Sequence, residues 1–169
     1  FMGLVGSEMC IRDSTGCSKG IIKIMKKNKF QIGKDLEVEK FIYGITHEIW
    51  ERKQINSIYD YYNEDVIVRS PRNTTYKCKD VIDSTKDTLS QFPDRQLIGE
   101  DVIWSGDCKN GILSSHRILS TATHKGNGFY GKSTEKSIMY RVIADCFIID
   151  NKVVAVSYTH LTLPTKDSV

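Results

Sequence analysis

Residues 112–154 constrain the fold more than any other stretch of the chain. They read ILSSHRILSTATHKGNGFYGKSTEKSIMYRVIADCFIIDNKVV. Two long segments, 112–123 and 137–149, alternate in the period-two manner of β-strands. Between them lies a connection, 125–134, with glycines at 126, 128 and 131. Single polar groups, His116 and Asp145, interrupt strand patterns that are otherwise largely apolar. The combination predicts a curved sheet wrapped round a pocket.

The segments before this run read as helices and one further long strand. Residues 36–62 carry helical periodicity, with Phe41, Ile42, Ile45 and Ile49 at steps of three and four. Ile55, Ile58, Tyr59 and Tyr62 repeat the pattern after a polar break at Arg52–Gln54. One long helix followed by a short one is the expectation. Residues 66–70 form a short strand stopped by Pro71, and residues 73–76 form a turn or loop. Residues 79–92 are a helix ended by Pro93-Asp94. Residues 97–104 make a long strand, joined through a turn at 106–111 to the strand at 112–123. Asp150-Asn151 turns the chain into Val153-Val154, the stub of another strand. Helices followed by a meander indicate an α+β domain, with about three helices on one face of an antiparallel sheet.

Composition fits one globular domain. The 169 residues are 40% hydrophobic and 27% charged, with a mean hydropathy of −0.33. No apolar run approaches the length of a membrane span. The net charge of +3 is a local effect. Six lysines and no acid fall between residues 15 and 34; the first fourteen residues carry −1 and the last fourteen 0. Taking these away leaves residues 35–155 at −2, so a nucleic-acid partner has little support. The lysine run reads as a flexible basic leader. Five cysteines occur without a C-x-x-C pair or zinc spacing. Their pattern suggests reduced thiols in a cytoplasmic setting, with Cys146 a small core residue. No metal or cofactor motif stands out, and the glycine connection lacks the P-loop pattern.

Both termini resemble translated adapter DNA. Residues 9–14, MCIRDS, and residues 157–160, SYTH, are what one transposase-type sequencing adapter encodes when read in opposite senses. Segments 1–14 and 156–169 are therefore expected to be non-native. Residues 15–35 are the leader and 36–155 the domain. On this view the natural chain continues past Ala155, and the last strand is truncated.

The ordered set IWERKQINSIYDYYNEDVIVRSP, SSHRILSTATHKGNGFYGKS and RVIADCFIIDNKVV resembles the SnoaL-like polyketide cyclases. These are nuclear transport factor two-like proteins, related to the ketosteroid isomerases. The resemblance covers about residues 36–155. It implies a cone: a strongly bent antiparallel sheet closed by helices, with a pocket at the open end and a homodimer formed through the sheet. The family's last strand continues with Glu-Trp and Arg-Asp pairs where this chain has SYTHL.

The resemblance also implies a cofactor-independent enzyme, with an aspartate on a late strand as acid/base. Asp145 is the best match. Alternation puts it between Ile143 and Phe147, on one face with Met139 and Arg141. Burial there would raise a carboxyl pKa toward neutrality. The alternatives are an ion pair with Arg141 or a solvated edge position. His116 shares a face with Ile112, Ser114, Ile118 and Ala122, and could polarise a carbonyl or donate to an enolate. A satisfied buried histidine is the other reading. Trp104, Trp50, Tyr62, Phe129 and Tyr130 are candidates to line a pocket for a hydrophobic small molecule, with Arg141 and Phe147 beside Asp145. Residues 125–134 could form a lid. His47 and His124 read as surface residues. The rival to an enzyme is a non-catalytic binding domain on the same fold.

Overall fold

The computed structural model describes residues 30–32 and 37–160. Its elements are α1 (Val38–Thr46), a π-helical turn (His47–Glu51), a 3-10 turn (Ile55–Ser57), α2 (Ile58–Tyr61), β1 (Tyr62–Arg69), β2 (Thr74–Thr75), α3 (Cys78–Gln91), β3 (Gln96–Asp107), β4 (Gly111–Thr123), β5 (Ser137–Ile149) and β6 (Lys152–His160). The class is α+β, as the residue pattern indicates. The long helix expected over 36–62 is divided. Lys53, at the polar break, has a left-handed φ of 56°, which ends helical hydrogen bonding. Tyr62, read as helical, opens β1 instead. The loop expected at 73–76 contains β2.

The sheet has six strands in the order β2-β1-β6-β5-β4-β3 and does not close on itself. Its pairings are antiparallel except β1 with β6, which run parallel. The sheet is thus mixed rather than purely antiparallel. A parallel pair needs a long connection, and here α3 and three long strands separate β1 from β6. The registers of β1–β6, β3–β4 and β5–β6 each shift once, at Tyr62/Ile67, Gly99/Asp101 and Phe147/Ile148. Such bulges bend a strand and increase its twist. They suit a sheet that curves round a space.

The core lies between α1 and the inner face of the sheet. Phe41, Ile42, Ile45 and Ile49 are all buried, packed with Val102, Ile112, Cys146 and Ile148. Gly99 lets α1 sit close: a Cβ there would lie 2.4 Å from the Tyr43 ring. At the β5–β6 hairpin, Asp150 and Asn151 both have positive φ, 49° and 59°, as a two-residue turn requires. The Asn151 side chain then accepts the Ile32 N–H at 2.7 Å. Ile32 is buried, and the Phe30 ring packs on Tyr61 with centroids 6.3 Å apart. These residues of the expected flexible leader are therefore docked. Residues 1–29, and the expectations that fall on them, lie outside the described residues.

β6 also goes beyond the expected stub at Val153-Val154. It runs to His160 and inserts between β1 and β5. Val156 is 1% exposed and pairs with both Val68 and Cys146. Ser157 and Thr159 take the opposite parity. The alternation of VSYT satisfies a strand whatever the origin of its codons. Ending the chain at Ala155 is expected to lower unfolding free energy by at least about 2 kcal/mol, the order of one buried valine plus its ladder bonds. Urea titration of the two forms at pH 7 measures this, and equal midpoints would deny β6 its role.

Candidate functional site

A cavity of about 1310 Å³ lies between α3, the connection after β4, and the inner face of the sheet. Its inner end is apolar and aromatic. Leu97, Ile118 and Val142 are buried there, and Trp50, Tyr62 and Tyr158 also line it. Its rim carries Asp94, Tyr130, Lys136 and Met139, all exposed. Periodicity explains the wall. Ile118 and Ala122 on β4 share one parity, and Tyr140 and Val142 on β5 face the same way.

The glycine connection is clamped to the end of α3. Gln91, fully buried, accepts the N–H groups of Lys125 and Gly126 at its carbonyl, both at 3.0 Å. Its side-chain Oε1 accepts the Tyr130 N–H at 3.1 Å. A Cβ on Gly128 would lie 2.4 Å from the Gln91 amide, so a larger residue there would have to displace that buried side chain. The clamp sets Tyr130 at the rim. Phe129 stands edge-on to Tyr130 at 5.1 Å, with Arg72 4.6 Å from its ring centroid.

The sequence candidates divide between two faces. Trp50, Tyr62 and Tyr130 line the cavity. Phe129 touches Tyr130 but stays outside the lining. Trp104 is 37% exposed near the far end of β3 and lies outside the cavity wall. Asp145, Arg141 and Phe147 occupy the outer face of the sheet. Opposite Asp145 stands Ser115, whereas the inward His116 faces Ala144. The expected meeting of Asp145 and His116 therefore does not occur: adjacent register positions point to opposite faces. An ion pair with Arg141, one of the alternatives for Asp145, is not among the described ion pairs either. Arg141 grips Glu100 through Nε and Nη2 at 2.9–3.0 Å, and Arg117 also reaches Glu100 at 2.9 Å. These guanidinium groups, Arg141 first, hold the Glu100 carboxyl below its usual range.

His116 is 4% exposed, and among the described residues neither ring nitrogen has a hydrogen-bond partner. It borders a second, small cavity of about 20 Å³, room for about one water molecule. Trp50, Tyr62, Leu97, Ile118 and Tyr158 line both spaces, so they separate His116 from the larger one. Burial lowers the His116 pKa to about 4, which keeps the imidazole neutral at physiological pH. Burial also pushes the Tyr62 and Tyr158 phenols well up, and the Cys146 thiol up to about 12. The inner end is thus furnished with neutral hydrogen-bonding groups.

Sequence reasoning missed three groups. His124, expected at the surface, is 6% exposed. It stacks on Phe92 at 5.1 Å, and its Nδ1 lies 3.3 Å from Thr134 Oγ1. Its even-numbered parity with His116 and Ile118 was the available signal. Tyr158 was set aside with the terminal segment. Arg95 stands in a connecting turn, where periodicity says nothing. Its guanidinium lies 5.0 Å from the Trp50 ring centroid, and its Nε donates to Ser120 Oγ at 3.3 Å. Among the described residues no cluster of three or more His, Cys, Asp or Glu could hold a metal ion. No described helix is long and apolar enough to cross a membrane.

No family model and no curated relative matches the chain. Solved structures do. A SnoaL-like polyketide cyclase proposed from Jannaschia superposes with a TM-score of 0.65 at 12% identity, covering 80% of this chain and 91% of that one. AclR of Streptomyces galilaeus, a proposed hydroxylase, gives 0.61 at 21% identity, with 73% and 74% covered. IdmH of Streptomyces antibioticus, a proposed polyketide cyclase, gives 0.60 at 14%, with 73% and 91% covered.

The His116 environment has a stability consequence. Its folded pKa of about 4 lies below the ordinary 6.5, so the unfolded chain binds the extra proton first. The contribution of the neutral ring is complete above pH 6.5 and is lost as pH falls toward 4. The full difference corresponds to about 3 kcal/mol. His116→Leu is expected to flatten that part of the urea-midpoint profile between pH 7 and 4.5. A variant profile parallel to the parent's would contradict the assignment.

Proposed function

We propose that this chain, which has the SnoaL-like fold of the nuclear transport factor two-like proteins, takes a flat hydrophobic carbonyl compound into its cavity. It would act there by acid–base chemistry of the cyclase, isomerase or hydratase type, without a cofactor. The observation that carries this reading is the cavity itself. It is large, aromatic at its inner end and polar at its rim, the general form of a small-molecule site. The cyclase assignments of several similar structures support the reaction class.

In this reading Asp145 is too far round the sheet to act, and the roles pass to groups on the wall. The neutral phenols of Tyr62 and Tyr158 are suited to hold a carbonyl or enolate oxygen. His116 backs them from behind the shared partition. His124, stacked on Phe92, is the imidazole best positioned to move a proton. A second reading, a domain that binds without turnover, has one observation in its favour. Asp94 is the only carboxylate among the described lining residues. The Thr123 N–H, donated at 2.8 Å, leads the causes holding its pKa below the usual range, and such a carboxylate is a weak base.

The outer face of the sheet supports a homodimer. Ile98, Ile103 and Leu113 are exposed there on β3 and β4, apolar groups that a second copy would cover.

Two measurements test these proposals. In a Trp104→Phe background, anthraquinone is expected to quench Trp50 fluorescence saturably. Tyr62→Ala should weaken its binding about tenfold, the order expected for losing aromatic contact area. Absence of saturable quenching would remove the cavity reading. For the assembly, light scattering should give twice the chain mass for the parent and the single-chain mass for Ile103→Lys. A monomeric parent would end the dimer proposal.

A further inference from the structure

Arg95 is the lining cation whose charge the protein leaves unanswered inside the cavity. Three cationic side chains line it: Arg72, Arg95 and Lys136. Arg72 pairs with Asp87, and Lys136 is exposed at the rim. Arg95 is half-buried, and among the described residues no carboxylate lies within ion-pair distance of it. The nearby acids are engaged elsewhere. Asp94, its chain neighbour, accepts the Thr123 N–H at 2.8 Å and pairs with Lys125 at 3.8 Å. The Glu51 carboxylate accepts the Leu97 N–H at 2.6 Å.

The guanidinium is nevertheless held in place. Its Cζ lies over the Trp50 ring, 5.0 Å from the centroid. Ser120, fully buried on the inner face of β4, accepts from Nε at 3.3 Å. That bond occupies one of five N–H donors. Lys53 donates to the Arg95 carbonyl, and burial, opposed by the Glu51 charge, holds its amine below its usual pKa. A fixed planar fork with free donors in a partly desolvated space matches a carboxylate in two-point contact.

We propose that Arg95 is a specificity residue that anchors the carboxylate of a flat aromatic or polycyclic acid, whose ring system lies along Trp50 into the apolar end. This deepens the cavity reading above and rests on it. It narrows the ligand class from a hydrophobic carbonyl compound to an acid whose charged end stays on the Arg95 side of the cavity.

The test compares two probes of equal shape. Anthracenecarboxylate and the uncharged anthracenecarboxamide are titrated against the full chain in the Trp104→Phe background, with Trp50 quenching and calorimetry as readouts. The acid is expected to bind at least about tenfold more tightly, the scale of a charge-assisted pair. Arg95→Gln should abolish that ratio while the amide keeps its affinity, and Arg95→Lys should restore part of it. A merely structural Arg95 would lower the thermal midpoint of Arg95→Gln and leave the acid-to-amide ratio unchanged, which would overturn the proposal. Equal binding of the two probes by the parent would overturn it as well, with the cavity reading intact. Failure of both probes to bind would remove the cavity reading, and the anchor with it.

Discussion

The register between β4 and β5 is the constraint on which the rest of this structure depends. His116 stands opposite Ala144, and Ser115 opposite Asp145. That pairing sends one parity of both strands toward α1 and the cavity. It sends the other, with Asp145 and Arg141, to the outer face. A slip by one residue would exchange the two sets. The chemistry open to the protein is decided by this choice before any single side chain is considered. Inside, it leaves an imidazole that burial keeps neutral. Outside, it leaves Glu100 gripped by two arginines.

Much of the architecture was legible because period and length carry it. The alternation over residues 137–149 coincides with β5, and the segment 112–123 differs from β4 by one residue at its start. The helix–strand order and the Asp150-Asn151 turn follow from equally local rules. What alternation could not tell was which face of β5 is the inner one. Met139, Ile143, Phe147 and Ile149 alternate with Ile138, Val142, Ala144 and Ile148, so both faces are apolar. A lone carboxyl looked like the mark of a pocket. It marks instead a half-buried outer face, whose apolar residues, if the dimer proposal holds, serve a partner. Binary patterning identifies a buried face only when the other face is polar.

The candidate site was less legible, for the same physical reason. Its members sit where periodicity is silent. Arg95 stands in a turn between α3 and β3, and Trp50 in a π-helical turn that departs from the 3.6-residue rhythm. Gln91 and the glycines at 126 and 128 meet through a close approach between elements distant in sequence. Such contacts depend on tertiary placement, and no local composition announces them. His124 is the exception, since it continues the inward parity of β4 one step past the strand's end.

The last strand shows how far a fold can be indifferent to the origin of its residues. Residues 156–160 pair with β5 on one side, and the first two of them with β1 on the other. A strand at that place needs little beyond inward apolar groups at alternate positions, which Val156 and Tyr158 supply. If this segment is adapter-encoded, Tyr158 is the least inherited part of the cavity wall. Function should then be sought in residues that do not depend on it. Trp50, Arg95, Ser120 and His124 meet that condition: they come from the π-helical turn, the β3 approach and the β4 end. The side-chain contacts of Arg95 with Trp50 and Ser120, and of His124 with Phe92 and Thr134, are made by residues up to Thr134. A different residue at position 158 would alter the inner wall and the phenol that faces it. It would leave the guanidinium on its tryptophan.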